Sequence, residues 1–485
     1  MGSKEKMNSF LSRQSSVLLD TKQNDARERI LALLDKDSFV ELGSQMQSLV
    51  PNRSGRAGVD GEGIVCGYGQ IESRLVFVAS QDRSVYHGGV GQANSAKLIR
   101  TLELAIEASS PFIVLWDSGG IRVDEGLQAL DAVGDIYQSF LDAREYIPLV
   151  SLVLGPCPGS LSMLPTVSDL LLIAADQGGL FLQGPGITAA EENPRMKPSD
   201  IGGAAIHSDI SGLAALVAPD SAQTIRLARE VFSYLPDNAN GYLWAVEGSD
   251  DPNRCELSLD ELAEQMDDGY LMSDIIEAVF DHDSVLELYA NFAKEVVGGF
   301  ARLGGRPVIY LANAESEFGL DAADKIEQLL GLADRLNFPL ITFTDSSGFK
   351  AGSAQEKAGI SRVAARIMAA FSNCQVTRLN VIVGEAIGQA YLVFNSKSTG
   401  ASIVYAWPTA EIAALRADSA VYLFKRDELA ASEDPIRDKE KIIEAYRNSE
   451  MTAEKAASEA SIDEVISPSA TRPRLYSALQ ILEGL

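Results

Sequence analysis

The sequence contains few of the residues from which metal and nucleophilic sites are usually built. Its 485 residues include 3 histidines and 4 cysteines. The histidines (His87, His207 and His282) lack the spacing of metal ligands, and no two cysteines form a CxxC pair. This scarcity disfavours a zinc ribbon and a disulfide framework, and we expect no metal in the site.

Long apolar runs and positive charge are also scarce. No run of about 18 apolar residues, the length of a membrane-spanning helix, is present, and the N-terminal residues lack the apolar core of a secretory signal. With 41 Lys and Arg against 68 Asp and Glu, the formal net charge is −27. Nucleic-acid binding needs a basic face, so we expect no nucleic-acid partner. The scattered cysteines fit a reducing cytoplasm.

Two similar segments organise the chain. They are PFIVLWDSGGIRVDEG at residues 111–126 and PLITFTDSSGFKAG at residues 339–352. In each, an apolar run typical of a buried strand ends in an aspartate, and small residues follow. Glycine at such a turn lets a ligand approach the peptide N–H groups, and two of these can hold an oxyanion.

The surroundings of the two segments repeat at a nearly constant interval. Lys325 and Asp345 each stand 228 residues after Lys97 and Asp117, and DKDSFVEL at residues 35–42 is answered by DHDSVLEL at 281–288. Strands alternate with helical patterns, which is typical of an α/β fold with parallel strands. The constant interval predicts two similar domains produced by duplication.

The domain boundaries follow from a change in composition. Residues 237–254 are rich in Asn, Asp and Gly. We therefore expect an N-terminal domain at residues 1–245 and a C-terminal domain at 255–485. Residues 433–485 are charged and helical in pattern, and we expect a C-terminal helical extension that packs on a partner subunit or on the neighbouring domain.

Four glycine turns are the candidate sites, at residues 119–121, 155–160, 347–352 and 384–390. Their glycines could serve only close packing of strand and helix. Cys157 lies in a G-x-C-x-G turn, the form of a nucleophile elbow, but no histidine follows a strand as its base would. A chain with many backbone donors and few acid–base side chains suits reactions that pass through an enolate.

Short motifs spread over residues 30–480 point to a known family. They include VASQD (78–82), DSGGIRVDEG (117–126), GPCPGS (155–160), LQGPGI (182–187), DIGGAAIH (200–207), GGFARLGGRPV (298–308), GFKAGSAQEKAGI (348–360) and YAWPTAEI (405–412). With these motifs the chain resembles the carboxyltransferase subunits of biotin-dependent acyl-CoA carboxylases. That group includes propionyl-CoA carboxylase β subunits and decarboxylase α subunits.

The resemblance implies an architecture and a set of partners. It implies two tandem crotonase-like (ClpP/crotonase) α/β domains, with active sites between the first domain of one subunit and the second domain of another. The chain would be a homo-oligomer, from dimer to hexamer. No A-M-K-M-like stretch for biotin attachment is present, so biotin would arrive on a biotin carboxyl carrier protein and a biotin carboxylase would load it. A decarboxylase complex is the alternative setting.

The resemblance also implies which residues act. A CoA thioester would be the substrate, and one set of N–H groups would hold its carbonyl oxygen while the other holds the biotin ureido oxygen. The biotin itself would take the α-proton. The implied catalytic residues are Gly120, Ile121, Gly159, Ser160, Gly388, Gln389 and Ala390. The implied substrate contacts are Gly119, Arg122, Gly184, Gly348, Phe349 and Leu392.

Two turns depart from the family pattern. Residues 158–160 are Pro-Gly-Ser where the family has alanine and a glycine pair, and residues 388–390 are Gly-Gln-Ala where it has Gly-Gly-Ala. We keep three functions open. The chain is a carboxyltransferase acting on a short acyl-CoA, a biotin-linked decarboxylase α subunit acting on a malonyl-type thioester, or an assembly subunit with little activity.

Overall fold

The protein forms two compact units, Met1–Tyr242 and Leu243–Leu485, in a computed structural model. The structure describes residues 3–8, 25–47, 59–246, 250–426 and 435–483. Residues 247–249 of the sequence-predicted boundary and 433–434 of the C-terminal segment lie outside these ranges. None of the described helices combines the length and apolar character needed to cross a membrane.

Unit 1 is built on a mainly parallel sheet. Its described strands are β1 (Val40–Leu42), β2 (Ile64–Ile71), β3 (Arg74–Gln81), β4 (Phe112–Trp116), β5 (Leu149–Val153), β6 (Pro156–Pro158), β7 (Leu170–Ala174), β8 (Gly179–Phe181) and β9 (Leu216–Ala218). Its described helices are α1 (Asp25–Leu33), α2 (Gln92–Glu107), α3 (Leu127–Arg144), α4 (Met163–Thr166), α5 (Pro185–Glu192), α6 (Pro198–Gly202), α7 (Ala204–Asp209) and α8 (Ser221–Tyr234).

The order of strands in this sheet is β1-β2-β3-β4-β5-β7-β9, and β6 pairs with β8 apart from it. Strands β3, β4, β5, β7 and β9 run parallel, whereas β2 runs antiparallel to its two neighbours, β1 and β3. Every residue of β4, β5 and β7 is buried, as expected of parallel strands covered on both faces. The carboxyl ends of β4 and β5 therefore meet at one edge, where both unit 1 turns begin.

Unit 2 repeats this design. Its described strands are β10 (Leu286–Glu287), β11 (Val296–Leu303), β12 (Arg306–Asn313), β13 (Glu317–Phe318), β14 (Leu340–Ser346), β15 (Gly348–Phe349), β16 (Arg378–Ile387), β17 (Ile403–Ala406), β18 (Glu411–Ala413) and β19 (Glu464–Val465). Its described helices are α9 (Ser258–Glu264), α10 (Met272–Val279), α11 (Ala322–Leu336), α12 (Ser353–Ala358), α13 (Ile360–Asn373), α14 (Gln389–Val393), α15 (Ala417–Phe424), α16 (Pro435–Glu450), α17 (Ala453–Ser458) and α18 (Thr471–Leu482).

The two sheets correspond strand by strand. The order in unit 2 is β10-β11-β12-β14-β16-β17-β19, with β18 beside β16. Lys97 on α2 and Lys325 on α11 are both buried, and the ammonium group of each donates to two main-chain carbonyls of the segment beside the second strand. Burial lowers the pKa of Lys325 to about 8. The duplicated α/β architecture predicted from the sequence is confirmed.

The last helix of the C-terminal segment packs within unit 2, whereas we expected this segment to pack on a partner subunit or on the neighbouring domain. Helix α18 follows β19 as α8 follows β9, and its Leu475 and Leu479 are buried in the core of unit 2 itself. Arg472 on α18 is fully buried, and it donates to Asp281 Oδ1 at 2.7 Å and to the carbonyl of Val279 at 2.7 Å. Because these bonds and the apolar face are satisfied within the unit, α18 belongs to the repeated fold.

Candidate active site

The first turn of unit 1 follows β4 and is held by one parallel bridge. Val90 N donates to Gly120 O at 2.9 Å, and Arg122 N donates to Val90 O at 2.8 Å. In such a bridge the residue between the two bonded positions turns its own N–H to the opposite side. The N–H of Ile121 therefore faces away from Val90.

The other two amides of this turn are occupied. Gly119 N donates to His87 O at 2.7 Å, and Gly120 N donates to Ser118 Oγ at 3.0 Å. Gly120 has a φ of +104°, a conformation that favours glycine. In the described part of the chain no acceptor is found for the N–H of Ile121. Of the three predicted donors in this turn, Ile121 is the one open to a ligand.

The second turn of unit 1 lies against the first. After β6 the chain enters a 3₁₀ turn, Gly159–Ser162, with Gly159 at a φ of +72°. The N–H of Ser160 opens this turn and has no acceptor among the described residues, whereas the pairing of Pro158 with Phe181 turns the N–H of Gly159 toward the carbonyl of Phe181. A Cβ on Gly120 would lie 3.3 Å from the carbonyl oxygen of Pro158. The structure thus brings together the two turns on which the first donor set was predicted.

The side chain of Asp117 contacts the chain at the start of both turns. Its carboxylate accepts from Arg29 Nη2 at 2.9 Å and from Arg83 Nη1 at 3.1 Å, and its N–H donates to Gln81 Oε1 at 3.0 Å. A Cβ on Gly155 would lie only 2.1 Å from Asp117 Oδ1. The glycine is required because the buried carboxylate fills the space where a side chain would stand.

Two of the predicted substrate contacts in unit 1 lie apart from the open amides. The Arg122 guanidinium is buried, donates to Glu62 O at 2.7 Å and to Gly89 O at 3.1 Å, and its carbon lies 4.6 Å from the centre of the Tyr86 ring. Gly184 precedes α5, and no hydrogen bond in the described part joins it to either turn. A substrate contact by either residue stays a prediction.

Cys157 lies on β6 between the two turns and is fully buried. Burial, with a smaller contribution from the charge of Asp117, raises the pKa of its thiol. A nucleophilic cysteine needs the opposite, a lowered pKa and access to the substrate. The geometry therefore supports the interpretation of Cys157 as a structural residue.

The turn after β14 in unit 2 has the same bonding. Ser347 N donates to Ser316 O at 2.8 Å, as Gly119 N donates to His87 O in unit 1. Gly348 N donates to Ser346 Oγ at 3.3 Å, and Gly348 has a φ of +140°. Two of the three amides are thus occupied in the same way as in unit 1.

The third amide of this turn is that of Phe349. Strand β15 pairs in parallel with β13, with Phe349 opposite Phe318, and Lys350 N donates to Phe318 O at 3.0 Å. This bridge matches the one that Val90 makes in unit 1. The N–H of Phe349 consequently faces away from β13, at the position that corresponds to Ile121.

In the second turn of unit 2, one of the three predicted donor amides is occupied and two are open. Gly388, at a φ of +56°, donates its N–H to Ala413 O at 2.8 Å and precedes the first residue of α14. The N–H groups of Gln389 and Ala390 come next and have no acceptor in the described part. The Gln389 side chain is exposed. Gly388 shapes the turn without an amide to offer.

An aromatic cluster joins the two unit 2 turns. The ring of Phe318 lies 5.2 Å from that of Phe349 and 5.4 Å from that of Phe394, which follows α14. Leu392 on the same short helix is 39% exposed. The packing fixes α14 beside β15, so the amides of the two turns belong to one region.

Asp345 is the counterpart of Asp117 but has different partners. Its carboxylate accepts from Tyr270 Oη at 2.6 Å and from the N–H of Glu385 at 2.7 Å. A Cβ on Gly384 would lie 2.3 Å from Asp345 Oδ1, so the close approach seen in unit 1 is kept. Among the described residues no arginine forms an ion pair with Asp345.

A cavity of about 540 Å³ opens beside Asp345 in unit 2. It is lined by Ala263, Glu264, Met266, Tyr270, Ser316, Asp345, Gly384, Glu385, Thr409, Glu411 and Arg447. Burial, and then the charge of Asp345, raises the pKa of Glu385 above the ordinary glutamate value. Burial and the same charge also raise the pKa of Tyr270.

Several residues of this region were not singled out in the sequence. Ser118 and Ser346 each follow the aspartate of a turn and stand 228 residues apart, so the repeat was the signal that could have revealed them. Tyr270 carries no such signal, because it lies 75 residues from Asp345 in the chain. Within the described ranges no three His, Cys, Asp or Glu side chains come close enough to hold a metal ion.

The chain is similar to known proteins over nearly its whole length. The sequence profile of the carboxyl transferase domain matches residues 21–484. The propionyl-CoA carboxylase carboxyltransferase subunit of Haloferax mediterranei is 34% identical over 95% of this chain and 90% of its own. The methylmalonyl-CoA decarboxylase subunit alpha of Veillonella parvula is 33% identical over 94% of this chain and 89% of its own.

A solved structure covers the whole chain. It is transcarboxylase 12S, described as a hexamer with methylmalonyl-coenzyme A and methylmalonic acid bound. It superposes with a TM-score of 0.93 at 30% identity, over 100% of this chain and 96% of its own. The predicted fold class of tandem crotonase-like domains is confirmed.

The close contacts of Gly155 with Asp117 and of Gly384 with Asp345 can be tested by mutation. Gly155→Ala and Gly384→Ala each place a methyl group on the carboxylate of Asp117 or Asp345. We expect each to lower the free energy of unfolding by about 1–3 kcal/mol, because the carboxylate or the turn has to move. Urea unfolding monitored by circular dichroism measures the change.

Two helix glycines supply the matched control. A Cβ added to Gly134 on α3 or to Gly331 on α11 would have no heavy atom within 4 Å. Alanine at these positions should raise the free energy of unfolding by about 0.5–1 kcal/mol. If Gly155→Ala proved as stable as Gly134→Ala, the close contact assigned to Asp117 would be wrong.

The raised pKa of Glu385 predicts a pH-dependent stability. The unfolded chain loses this proton near the ordinary glutamate pKa of 4.5 and the folded protein only at a higher pH, so stability falls as the pH rises through that window and stays low above it. Glu385→Gln should therefore raise the thermal midpoint at about pH 8 and leave it nearly unchanged at about pH 3.5. Glu444→Gln, on the exposed face of α16, is the control. Equal effects of Glu385→Gln at both pH values would contradict the assignment.

Proposed function

The chain belongs to the carboxyl transferase domain family, and on that premise we propose that it moves a carboxyl group between carrier-borne biotin and the α-carbon of a short acyl-CoA. The observation that carries this proposal is the pair of open donor sets, one in each unit. Each set combines one amide after the central strand with the amide of Ser160 in unit 1, or with those of Gln389 and Ala390 in unit 2. Two substrates that each develop negative charge on a carbonyl oxygen need two such sets.

In unit 1 the donors are proposed to be the N–H groups of Ile121 and Ser160, with Gly159 shaping the turn between them as Gly388 does in unit 2. They would bind the thioester carbonyl oxygen and stabilise it as the α-proton leaves and the enolate forms. These amides are fixed before the substrate arrives, so the reaction needs little reorganisation around the new charge. The enolate carbon would then attack the CO2 that the carboxyl donor has released before it takes the α-proton.

In unit 2 the donors are proposed to be the N–H groups of Phe349, Gln389 and Ala390. A ureido oxygen fits this set, because it is a carbonyl acceptor and the open groups are all N–H donors. Biotin, when bound there, supplies the carboxyl group and accepts the α-proton. The chain therefore needs no side-chain base of its own.

The substrate class is proposed from the relatives. Curated relatives are named for propionyl-CoA and methylmalonyl-CoA, and the matching solved structure holds methylmalonyl-coenzyme A. We propose that this chain takes an acyl-CoA of the same size. Leu392, exposed on α14 near the amide of Gln389, is proposed to influence the choice of acyl chain.

The assembly and its partners are part of the proposal. A biotin carboxyl carrier protein and a biotin carboxylase would deliver the carboxyl group, and the chain itself would form a homo-oligomer from dimer to hexamer. Val123 and Leu127, which follow the first turn, are 77% and 75% exposed, as is common on surfaces that another subunit covers. The carboxyltransferase domains are proposed at residues 1–245 and 255–485, close to the two compact units.

We propose a cytoplasmic location for this enzyme. All four cysteines, Cys66, Cys157, Cys255 and Cys374, are free thiols. Free thiols are typical of proteins kept in a reducing compartment.

The decarboxylase alternative uses the same two sets of open amides, with the carboxyl group moving from the acyl-CoA to biotin. The similarity to the Veillonella parvula subunit favours it as the second candidate. In that direction the unit 1 donors would stabilise the enolate left when the carboxyl group departs. A low-activity assembly role is less well supported, because the altered turns at Ser160 and Gln389 keep their amides open.

Proline scanning of the open amides tests the proposal. Gln389 is the first residue of α14, a position that accepts proline because its N–H has no helical partner. Gln389→Pro removes one donor and should lower kcat by about 10²–10³, while Gln389→Ala keeps the N–H and should stay within a few-fold. The assay is carboxyl transfer from methylmalonyl-CoA to free biotin.

A calorimetric titration with CoA accompanies the assay. Gln389→Pro should bind CoA as the wild type does, because we assign CoA to unit 1. Equal rates for Gln389→Pro and Gln389→Ala would mean that this turn serves packing alone. Loss of CoA binding by Gln389→Pro would mean that the assigned roles of the two units are exchanged.

A further inference from the structure

A buried serine holds the glycine turn in each unit. Ser118 Oγ donates to Gly88 O at 2.7 Å and accepts from Gly120 N at 3.0 Å. Ser346 Oγ donates to Ser316 O at 2.9 Å and accepts from Gly348 N at 3.3 Å. Both serine side chains are inaccessible to solvent. The same pair of bonds therefore occurs twice, although the residue between serine and glycine differs.

These bonds fix the orientation of the neighbouring open amide. Gly120 joins two peptide planes, and because glycine has no Cβ, both planes could rotate in the absence of restraints. The plane before Gly120 is held by Ser118 Oγ through the N–H, and the plane after it is held by Val90 N through the carbonyl. That second plane carries the N–H of Ile121. With both planes held, this N–H has one direction.

Unit 2 reaches the same result with different residues. Ser346 Oγ holds the N–H of Gly348, and the pairing of β15 with β13 holds the plane between Gly348 and Phe349. Without the hydroxyl, the buried N–H of Gly348 would lose its acceptor. A buried amide without an acceptor is costly, so the flexible glycine would turn to find another one.

We propose that Ser118 and Ser346 are positioning residues for the two oxyanion sites. Each hydroxyl engages the amide of the glycine two residues on, and so directs the amide of Ile121 or Phe349 at the oxygen of the substrate. The proposal rests on the proposed function, since it requires that an oxyanion be bound at these turns. Neither serine touches the substrate.

The polarisation of the thioester carbonyl reports directly how well the N–H of Ile121 is aimed at its oxygen. A well-aimed N–H lowers the stretching frequency of the carbonyl that it binds. We propose isotope-edited infrared spectroscopy of propionyl-CoA, labelled with ¹³C at the carbonyl, bound to the full-length protein. The wild type should lower the frequency relative to free propionyl-CoA. Ser118→Ala should lose at least about half of that shift and lower kcat about 10–10²-fold, with KM for the acyl-CoA within about three-fold.

Matched variants separate positioning from simple stability. Ser118→Thr keeps the hydroxyl and should keep the shift. Ser151→Ala removes another buried hydroxyl of the same sheet, whose partners are Trp116 Nε1 at 2.9 Å and Ser168 Oγ at 2.7 Å rather than amides of the turn. It should lower stability and leave the shift unchanged. Ser346→Ala should leave the thioester band unchanged and slow transfer to free biotin.

The outcomes distinguish this inference from the proposed function. A wild-type shift and rate in folded Ser118→Ala would overturn the positioning role and leave the function intact. No shift and no transfer in the wild-type protein would overturn the function. Loss of the shift in Ser346→Ala instead would support the positioning role and exchange the assignment of the units. If Ser118→Ala does not fold, Ser346→Ala compared with Ser346→Thr decides, read from the ureido carbonyl band of ¹³C-labelled biotin.

Discussion

A few peptide N–H groups must stay without an acceptor while every group around them is bonded. Buried amides almost always find a partner, so an open one persists only where the backbone cannot turn toward a carbonyl. In this protein that constraint is met by glycines at positive φ, by serine hydroxyls and by short parallel bridges. The open amides of Ile121 and Gln389 are the result. A catalyst built from such groups needs rigid turns more than reactive side chains.

Duplication explains how one chain carries two such sites. The sheets have the same order of strands, and the close contact of glycine and aspartate is kept in both units. The surroundings of the aspartate have diverged. In unit 1 two arginines neutralise Asp117, whereas in unit 2 Tyr270 and a main-chain N–H bind Asp345 beside an acidic cavity. A shared framework with different electrostatics suits two substrates of different charge.

The positions of the turns could be predicted from the sequence, because the signals are local. An apolar run that ends in aspartate and glycine marks the turn, and the constant interval marks the duplication. Which amides are open could not be predicted, since that depends on acceptors brought in by the fold. Gly388 was predicted as a donor, yet its N–H is bonded to Ala413, 25 residues away. The packing of α18 could not be predicted for the same reason. Its Arg472 bonds to Asp281, which lies 191 residues away in the chain.

We propose, as the resemblance to carboxyltransferase subunits implies, that a working site needs unit 1 of one chain and unit 2 of another. Co-expression of a Ser160→Pro chain with a Gln389→Pro chain tests it. In a randomly mixed oligomer each site draws an intact unit 1 with probability of one half and an intact unit 2 likewise, so transfer should return to about a quarter of the wild-type rate. A mixture no more active than the two variants alone would contradict the account, because it would mean that both half-sites come from the same chain.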